Sequence, residues 1–268
     1  MPIDAHVHFD RYTENLPEAL QQIAAHRILT IGVGMDIPSY LRTKEIAATS
    51  PWLVATFGIH PWNAHHYAEN LSALDPYLQE TPLIGEAGLD FLWVEDRSHD
   101  PAQRAVFRYQ CQWAQRLSKP MNLHTKDAEA EIIQTLNEFN LRGSIIHWYS
   151  GPLELIDDYL TLGCYFTLGV ETLTSPAIVE IAKKIPLQNI LLETDNPGGW
   201  EWLSGQVGMP SVLLAVHEKV AEIKGISSAQ LESQLTENWQ AFSASIKHLS
   251  ELGRGNNPNF HGDVSKSF

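Results

Sequence analysis

Cysteine, long apolar runs and positive charge are all scarce in this sequence. Cys111 and Cys164 are the only cysteines among 268 residues, so no disulfide framework holds the fold, as is typical of proteins in the reducing cytoplasm. No apolar run is long enough to cross a bilayer, and no basic segment followed by an apolar stretch opens the chain. We therefore expect a cytoplasmic protein with no signal peptide and no membrane partner.

The shortage of cations restricts the possible partners. Eighteen Lys and Arg residues stand against 32 Asp and Glu residues, which gives a formal net charge of −14. An acidic chain has no global attraction for nucleic acid, so such binding would depend on a local basic patch or on metal ions. No feature of the sequence predicts a protein partner, and we expect a monomer.

The sequence does contain a regular alternation of β-rich runs and helical patterns. This alternation predicts an α/β fold, a TIM-type (β/α)8 barrel. No linker or internal repeat divides the chain, so we expect one barrel domain over residues 1–250 and a polar tail over residues 251–268. The β-rich runs cover residues 2–9, 28–34, 53–61, 83–90, 121–125, 143–150, 164–170 and 190–197.

The first β-rich run, IDAHVHFD (residues 3–10), places two histidines one residue apart. Because side chains alternate between the faces of a strand, His6 and His8 point to the same side. Two neutral imidazoles side by side are suitable metal ligands. A strand that carries two exposed histidines by chance would give the same pattern, so this motif alone decides nothing.

The barrel prediction brings more metal-type side chains to the same place. Active sites of such barrels lie at the C-terminal ends of the strands. Candidate ligands recur at those ends, and a structural role explains any one of them more easily than it explains the whole set. The candidates are His6, His8, His60, Glu86, His124, His147 and Asp195.

A series of short motifs resembles the TatD family of metal-dependent hydrolases, which belongs to the amidohydrolase-like barrels. The motifs follow in order from residue 3 to about residue 197, and VAEIKGIS (220–227) continues the series. As a series they are highly specific, although HxH alone is weak. They are IDAHVHFD, GIHPW, IGEAGLDF, NLHTKDAEAEII, IIHWYSG and LLETDNP.

The resemblance implies a centre of two divalent metal ions bridged by Glu86. The first ion would be held by His6, His8 and Asp195. The second ion would be held by His124 and His147. Imidazole and carboxylate ligands suit Zn, Mn or Mg, and the sequence does not select among them.

This ligand set suits hydrolysis. Two divalent ions lower the pKa of water towards neutrality and clamp the oxygens of a displacement reaction. Asp195 would accept the proton of the attacking water, and Glu86 would hold both ions. These two are therefore the predicted catalytic residues.

The residues expected to contact substrate depart from the family pattern. Lys126 stands where the family usually carries an arginine, and a lysine keeps the charge but loses the bidentate fork. The loop at residues 196–210 contains no Lys or Arg. His60 is interpreted as a substrate-facing or ligand-orienting group, or alternatively as a buried structural histidine. The predicted substrate-binding residues are Lys126, His60, Trp148, Trp200 and Trp202.

Three functions remain open at this point. The first, favoured by the resemblance, is a phosphodiesterase of the deoxyribonuclease or exonuclease type that acts on short or single-stranded nucleic acid, whose bases would stack on the tryptophans. The second is hydrolysis of a small ester, lactone or amide at the same metal site, with the tryptophans lining an apolar pocket. The third is metal binding without catalysis. The alternative for each tryptophan is a purely structural role in covering the barrel mouth.

Overall fold

Parallel strands alternate with helices along the described chain. The computed structural model describes residues 1–244 and 246, and within them it contains eight strands. The predicted tail at residues 251–268 lies outside the described residues. The strands are β1 (Ile3–Val7), β2 (Leu29–Val33), β3 (Leu53–Thr56), β4 (Ile84–Asp90), β5 (Met121–Lys126), β6 (Ile145–Ile146), β7 (Tyr165–Leu168) and β8 (Ile190–Leu192).

Hydrogen bonds close these strands into a ring. β1 to β3 pair in parallel in chain order, and so do β4 to β8. An isolated parallel bridge between Phe57 and Ile84 joins the two sheets. On the other side, Asp195 N donates to His6 O at 3.0 Å just beyond β8. The fold is a TIM-type (β/α)8 barrel, which confirms the prediction.

Helices follow the strands, and sequence signals mark several of their ends. Within the described residues they are α1 (Leu16–Ala25), α2 (Ile37–Ala47), α3 (Asp75–Glu80), α4 (Asp100–Leu117), α5 (Glu129–Glu138), α6 (Ile156–Thr161), α7 (Pro176–Lys184), α8 (Gly198–Ser204), α9 (Val212–Lys224) and α10 (Ser228–Ser243). Ser175 caps α7 by accepting a hydrogen bond from Ile178 N, and Ser227 forms a capping box with Gln230 at the start of α10. None of these helices is long and apolar enough to span a bilayer.

The last helix closes one end of the barrel. Trp239 and Phe242 of α10 are buried against side chains at the starts of β2, β6 and β8, among them Leu29, Ile145 and Leu191. Side chains from strands around the ring meet only in its interior, so this cluster fills the barrel at the N-terminal ends of its strands. The opposite end, where the strands finish, is the one available for a site.

A surface groove of about 570 Å³ also lies near the closed end. Lys119, Arg142 and Phe242 are among the residues that line it. The metal-type side chains lie at the opposite end of the strands, so we assign this groove no part in the chemistry.

Candidate metal centre

The metal-type side chains come from the C-terminal ends of the strands. Three lie within strands: His6 in β1, Glu86 in β4 and His124 in β5. Three others come one to three residues after a strand: His8, His147 and Asp195. Apart from β5, the observed strands are shorter than the predicted β-rich runs. The chain leaves the sheet before the apolar run ends, so His8, His147 and Asp195 are presented from short loops.

The backbone is constrained where it carries the two central carboxylates. A β-carbon at Gly58 would collide with the main-chain carbonyl of Glu86, so only glycine allows this approach of the neighbouring segments. Asp195 has a φ of +53°, which is rare for a residue other than glycine. Hydrogen bonds hold it on both sides, from its N to His6 O at 3.0 Å and from Gly199 N to its O at 2.7 Å. Such a conformation persists only where the surrounding structure enforces it.

The first cluster contains two histidines and two carboxylates. His8 Nε2 lies 3.2 Å from Asp195 Oδ1 and 3.4 Å from Glu86 Oε2. His6 Nε2 lies 3.7 Å and 3.4 Å from the same two oxygens. Ligands about 2.0–2.1 Å from one tetrahedral ion would lie about 3.3–3.4 Å apart, so these spacings are those of a metal site.

Three buried polar atoms of the first cluster lack hydrogen-bond partners within the described residues. His6 Nε2, Glu86 Oε2 and Asp195 Oδ1 are buried, and none has a hydrogen-bond partner within the described part of the chain. Buried polar atoms without partners are rare and costly in native proteins. A shared cation would satisfy all three at once, so the donor set fits a metal ion.

The second cluster forms around the other oxygen of Glu86. Glu86 Oε1 lies 3.0 Å from His124 Nδ1, 3.3 Å from His60 Nε2 and 3.9 Å from His147 Nε2. The two oxygens of one carboxylate therefore face different groups of histidines. This is the arrangement expected of a bridging ligand. The cluster also includes His60, which the strand-end pattern gave as a candidate ligand but which the family resemblance did not place in the ligand set.

The rings of His6 and His8 are oriented by acceptors on their far sides. His6 Nδ1 lies 3.0 Å from Asn122 Oδ1, and the amide nitrogen of Asn122 donates to Ala5 O at 3.0 Å, which fixes the orientation of that amide. His8 Nδ1 lies 3.3 Å from Val33 O. An acceptor at Nδ1 requires a proton there, so in the neutral form of each ring, which is the form that binds a metal, the lone pair is on Nε2 and faces the cluster.

His124 and His147 are held by carboxylates. His124 Nε2 lies 2.9 Å from Asp90 Oδ2, and His147 Nδ1 lies 2.7 Å from Glu193 Oε2. The remaining nitrogen of each ring, Nδ1 of His124 and Nε2 of His147, therefore presents its lone pair towards Glu86. Carboxylate–histidine pairs of this kind fix ring orientation and raise ligand basicity in metal sites.

The clusters also shift the pKa values of their members. Burial would raise the pKa of Glu86, but the surrounding histidines, His6 among them, outweigh it and hold the value well below its usual range. Burial would lower the pKa of His6, but the carboxylates of Glu86 and Asp195 raise it to about 9. The carboxylates thus remain charged and attract positive charge, which protons or a divalent cation can supply.

Comparison with known proteins gives the family of the chain. The family model described as TatD related DNase matches residues 3–243. The chain belongs to the TatD family. It is therefore a metal-dependent hydrolase. The match also confirms the resemblance noted in the sequence motifs.

Three known proteins show how far this similarity extends. The Bacillus subtilis (strain 168) protein named "Uncharacterized metal-dependent hydrolase YabD" is 29% identical over 247 residues, which cover 87% of this chain and 94% of the relative. The Edwardsiella piscicida protein named "3'-5' ssDNA/RNA exonuclease TatD" is 33% identical over 173 residues, which cover 61% of this chain and 66% of the relative. The crystal structure of YJJV, a TatD homolog from Escherichia coli K12, has a TM-score of 0.80 at 24% identity, covering 90% of this chain and 97% of that chain, and shares the fold.

Lys126 of this TatD-family chain, at the end of β5, donates its hydrogen bonds to the loop after β6. Its Nζ donates to Trp148 O at 2.7 Å and to Ser150 Oγ at 2.8 Å. Burial lowers the pKa of the ammonium. The structure thus gives Lys126 a role in holding the loop after β6, while its contact with substrate stays a prediction.

The predicted substrate-binding tryptophans differ in exposure. Trp202 is 63% exposed, whereas Trp148 and Trp200 are half-buried. The rings of Trp148 and Trp202 meet edge to face with centroids 6.0 Å apart, and Trp148 Nε1 donates to Glu171 Oε2 at 2.6 Å. Trp148 is thus fixed beneath an exposed Trp202, which leaves the Trp202 ring available for stacking.

Two residues of the site escaped the sequence analysis. Asn122 orients His6, and alternation along β5 was the available signal, because Asn122 lies two residues before His124 on the same face. Arg11 is exposed just after β1, and a β-carbon at Gly198 would lie 3.4 Å from its Nη1. Arg11 therefore supplies a positive charge beside the loop at residues 196–210, which has none of its own. Its position depends on a contact between distant segments, which no local pattern reveals.

Proposed function

We propose that this TatD-family chain hydrolyses phosphodiester bonds at a centre of two divalent ions, and that its substrates are short or single-stranded nucleic acids. The single observation that carries the proposal is the division of Glu86 between two clusters. Its Oε2 lies 3.4 Å from both His6 Nε2 and His8 Nε2, and its Oε1 lies 3.0 Å from His124 Nδ1. Paired ions at such a bridge are typical of enzymes that act on phosphate esters.

The proposal gives each side chain of the centre a role. When bound, the ions would lower the pKa of water and neutralise the charge that develops on the phosphate. Asp195 is the proton acceptor, because its carboxylate lies among the ligand atoms yet is 21% exposed and so reaches solvent. Glu193 and Asp90 keep His147 and His124 in the ligating tautomer.

The preference for short or single-stranded substrate rests on charge and on aromatic exposure. The chain carries a net charge of −14, so a long duplex would be repelled outside the immediate site. Arg11 and the metal ions would attract one or a few phosphates locally. The exposed ring of Trp202 suits a base that is not already stacked in a duplex. The Edwardsiella relative, whose name gives a single-stranded DNA and RNA exonuclease, supports the same preference.

A second candidate is hydrolysis of a small ester, lactone or amide at the same ions. The commitment of Lys126 to Trp148 and Ser150 favours it, because it removes a cation that would otherwise bind phosphate. The exposed Leu92 and Trp93 after β4 favour it further, because they add apolar surface at the same end of the barrel.

A substrate panel separates the two candidates. Protein stripped of metal with a chelator is reloaded with Mn, Zn or Mg and tested on a dinucleotide, a single-stranded oligomer, a long duplex, a carboxylic ester and a lactone. We expect no turnover without metal, and phosphodiester cleavage with it that is faster on the dinucleotide and the single strand than on the duplex. Rapid turnover of the ester or lactone without any phosphodiester cleavage would instead support the second candidate. Full activity in the metal-free protein would refute both.

A further inference from the structure

His60 lies among the candidate ligands of the second cluster, yet its far side differs from theirs. Its Nε2 lies 3.2 Å from His124 Nδ1 and 3.3 Å from Glu86 Oε1, so spacing alone would allow it to bind an ion there. Its Nδ1, however, accepts a hydrogen bond at 3.2 Å from the backbone N–H of Trp62. On the side that faces away from the cluster, the four other histidines of the centre have an acceptor instead of a donor, at Nδ1 in three of them and at Nε2 in His124.

The partner of the far nitrogen determines what the near nitrogen can do. A neutral imidazole has one N–H and one lone pair. If Nδ1 of His60 accepts from Trp62, its lone pair is there and the proton is on Nε2. A protonated Nε2 donates hydrogen bonds and cannot bind a metal ion. An imidazolium is also disfavoured, because it would set two N–H groups against each other at Nδ1.

The hydrogen bonds of Trp62 favour different tautomers of His60 and His124. Its backbone N–H donates to His60 Nδ1, and its indole Nε1–H donates to Asp90 Oδ2 at 2.8 Å. Asp90 Oδ2 in turn lies 2.9 Å from His124 Nε2. The first contact places the proton of His60 on Nε2, which faces the centre. The second contact helps to orient Asp90, which keeps the proton of His124 on Nε2 and leaves the lone pair on Nδ1, facing the centre.

We infer that His60 is a neutral hydrogen-bond donor that positions Glu86, and that it is not a ligand of the second ion. Glu86 Oε1 has two lone pairs, so it can accept from His60 Nε2–H and still bind a cation. His124 Nδ1, which lies 3.2 Å from the same Nε2, has only one lone pair, so it cannot accept that hydrogen bond and also bind a cation. His60, only 2% exposed, thus holds the carboxylate in the rotamer that divides its two oxygens between the clusters. This inference rests on the same metal centre as the proposed function but not on the identity of the substrate.

Nitrogen NMR of histidine rings tests the inference directly. Wild-type protein labelled with 15N histidine is observed without metal and after loading with Zn, with His60→Gln used to assign the His60 signals. We expect His60 to keep its proton on Nε2 in both states, while His124 Nδ1 moves into the range of metal-bound nitrogen. Loss of the Nε2 proton of His60 with a metal-bound shift would overturn the inference. The spectrum without metal reports the tautomer even if no substrate is ever hydrolysed.

Metal stoichiometry supplies the second test. His60→Ala removes the donor, His60→Gln keeps an N–H donor, and His124→Ala removes a ligand. At saturating Zn we expect two ions per chain in the wild type and in both His60 variants, and one in His124→Ala. The affinity of the second ion should fall about 10- to 100-fold in His60→Ala, as is typical when a residue that orients a ligand is lost, and by less in His60→Gln. A single ion in His60→Ala at saturating Zn would contradict the inference, and if that variant does not fold, the NMR measurement on the wild type still decides.

Discussion

Glu193 and His147 meet through a hydrogen bond of 2.7 Å between Oε2 and Nδ1, on the side of the imidazole that faces away from Glu86. The other oxygen of Glu193 accepts from Trp148 N at 3.0 Å. One carboxylate therefore fixes both the ring of a candidate ligand and the backbone of Trp148 in the loop after β6. The proposed metal ligand His147 and the proposed substrate-binding residue Trp148 therefore share a rigid support.

The first prediction concerns the proton acceptor. Asp195→Asn should lower kcat on a dinucleotide by about 100-fold or more at saturating metal, because an amide cannot take the proton of the attacking water. Metal content is measured on the same samples, so that loss of an ion is distinguished from loss of the base. A variant that keeps its metal and turns over within about threefold of wild type would show that another group accepts the proton.

The second prediction concerns aromatic stacking. Trp202→Ala should raise KM for a single-stranded oligomer about 5- to 140-fold, which corresponds to about 1–3 kcal/mol for one stacked base. The kcat value should change little, since Trp202 does not contact the ligands described above. Trp113→Ala on the outer helix α4 is the matched control and should leave KM unchanged. Equal effects of the two substitutions would argue against a specific stacking role.

The third prediction concerns the cation beside the uncharged loop. Arg11→Gln should lower kcat/KM for a single-stranded oligomer and make it less sensitive to salt, with the slope of its logarithm against the logarithm of salt concentration reduced by about 0.7. Arg142→Gln, at the closed end of the barrel, removes the same charge far from the site and should have neither effect. An unchanged slope in Arg11→Gln would mean that Arg11 does not meet phosphate.

The sequence allowed the candidate ligands to be predicted to lie together, because their positions follow from periodicity. Alternation places His6 and His8 on one face, and parallel strands bring all their C-terminal ends to one side of a barrel. The structure brings His124, His147 and Asp195 to the same place around Glu86, as those two rules require.

The remaining details depend on contacts between loops that no local pattern encodes. Lys126 is a free cation by its sequence, but the loop after β6 supplies Trp148 O and Ser150 Oγ to its ammonium. The tautomer of His60 is set by the turn that follows it, because Trp62 N donates a hydrogen bond to His60 Nδ1. Both features are set by where one segment packs against another, and they determine which side chains remain available to substrate.

The fourth prediction concerns pH. Burial raises the pKa of Glu129, which is 6% exposed, above its usual value. Below the pKa of the unfolded chain both states hold the proton and no penalty arises. As pH rises through the folded pKa, the folded state must hold a buried charge, so the free energy of unfolding falls. Glu129→Gln should therefore melt at a higher temperature than wild type at pH 7.5 but not at pH 4, measured on metal-free protein.

The control for that prediction is Glu14→Gln, which removes a carboxylate from an exposed position. We expect it to change the melting temperature little at either pH. If Glu129→Gln lowers the melting temperature at pH 7.5, the carboxylate of Glu129 is stabilised by its surroundings rather than penalised by burial.

The division of Glu86 between two clusters is tested most directly by counting bound metal ions. Equilibrium dialysis of metal-stripped protein against Mn or Zn, followed by elemental analysis, gives the number of ions per chain and their affinities. We expect two ions in the wild type and in Glu14→Ala, and in Glu86→Ala the loss or marked weakening of both, because the shared carboxylate is removed from each cluster. Two ions bound to Glu86→Ala with wild-type affinity, or a single ion in the saturated wild type, would contradict a centre bridged by Glu86.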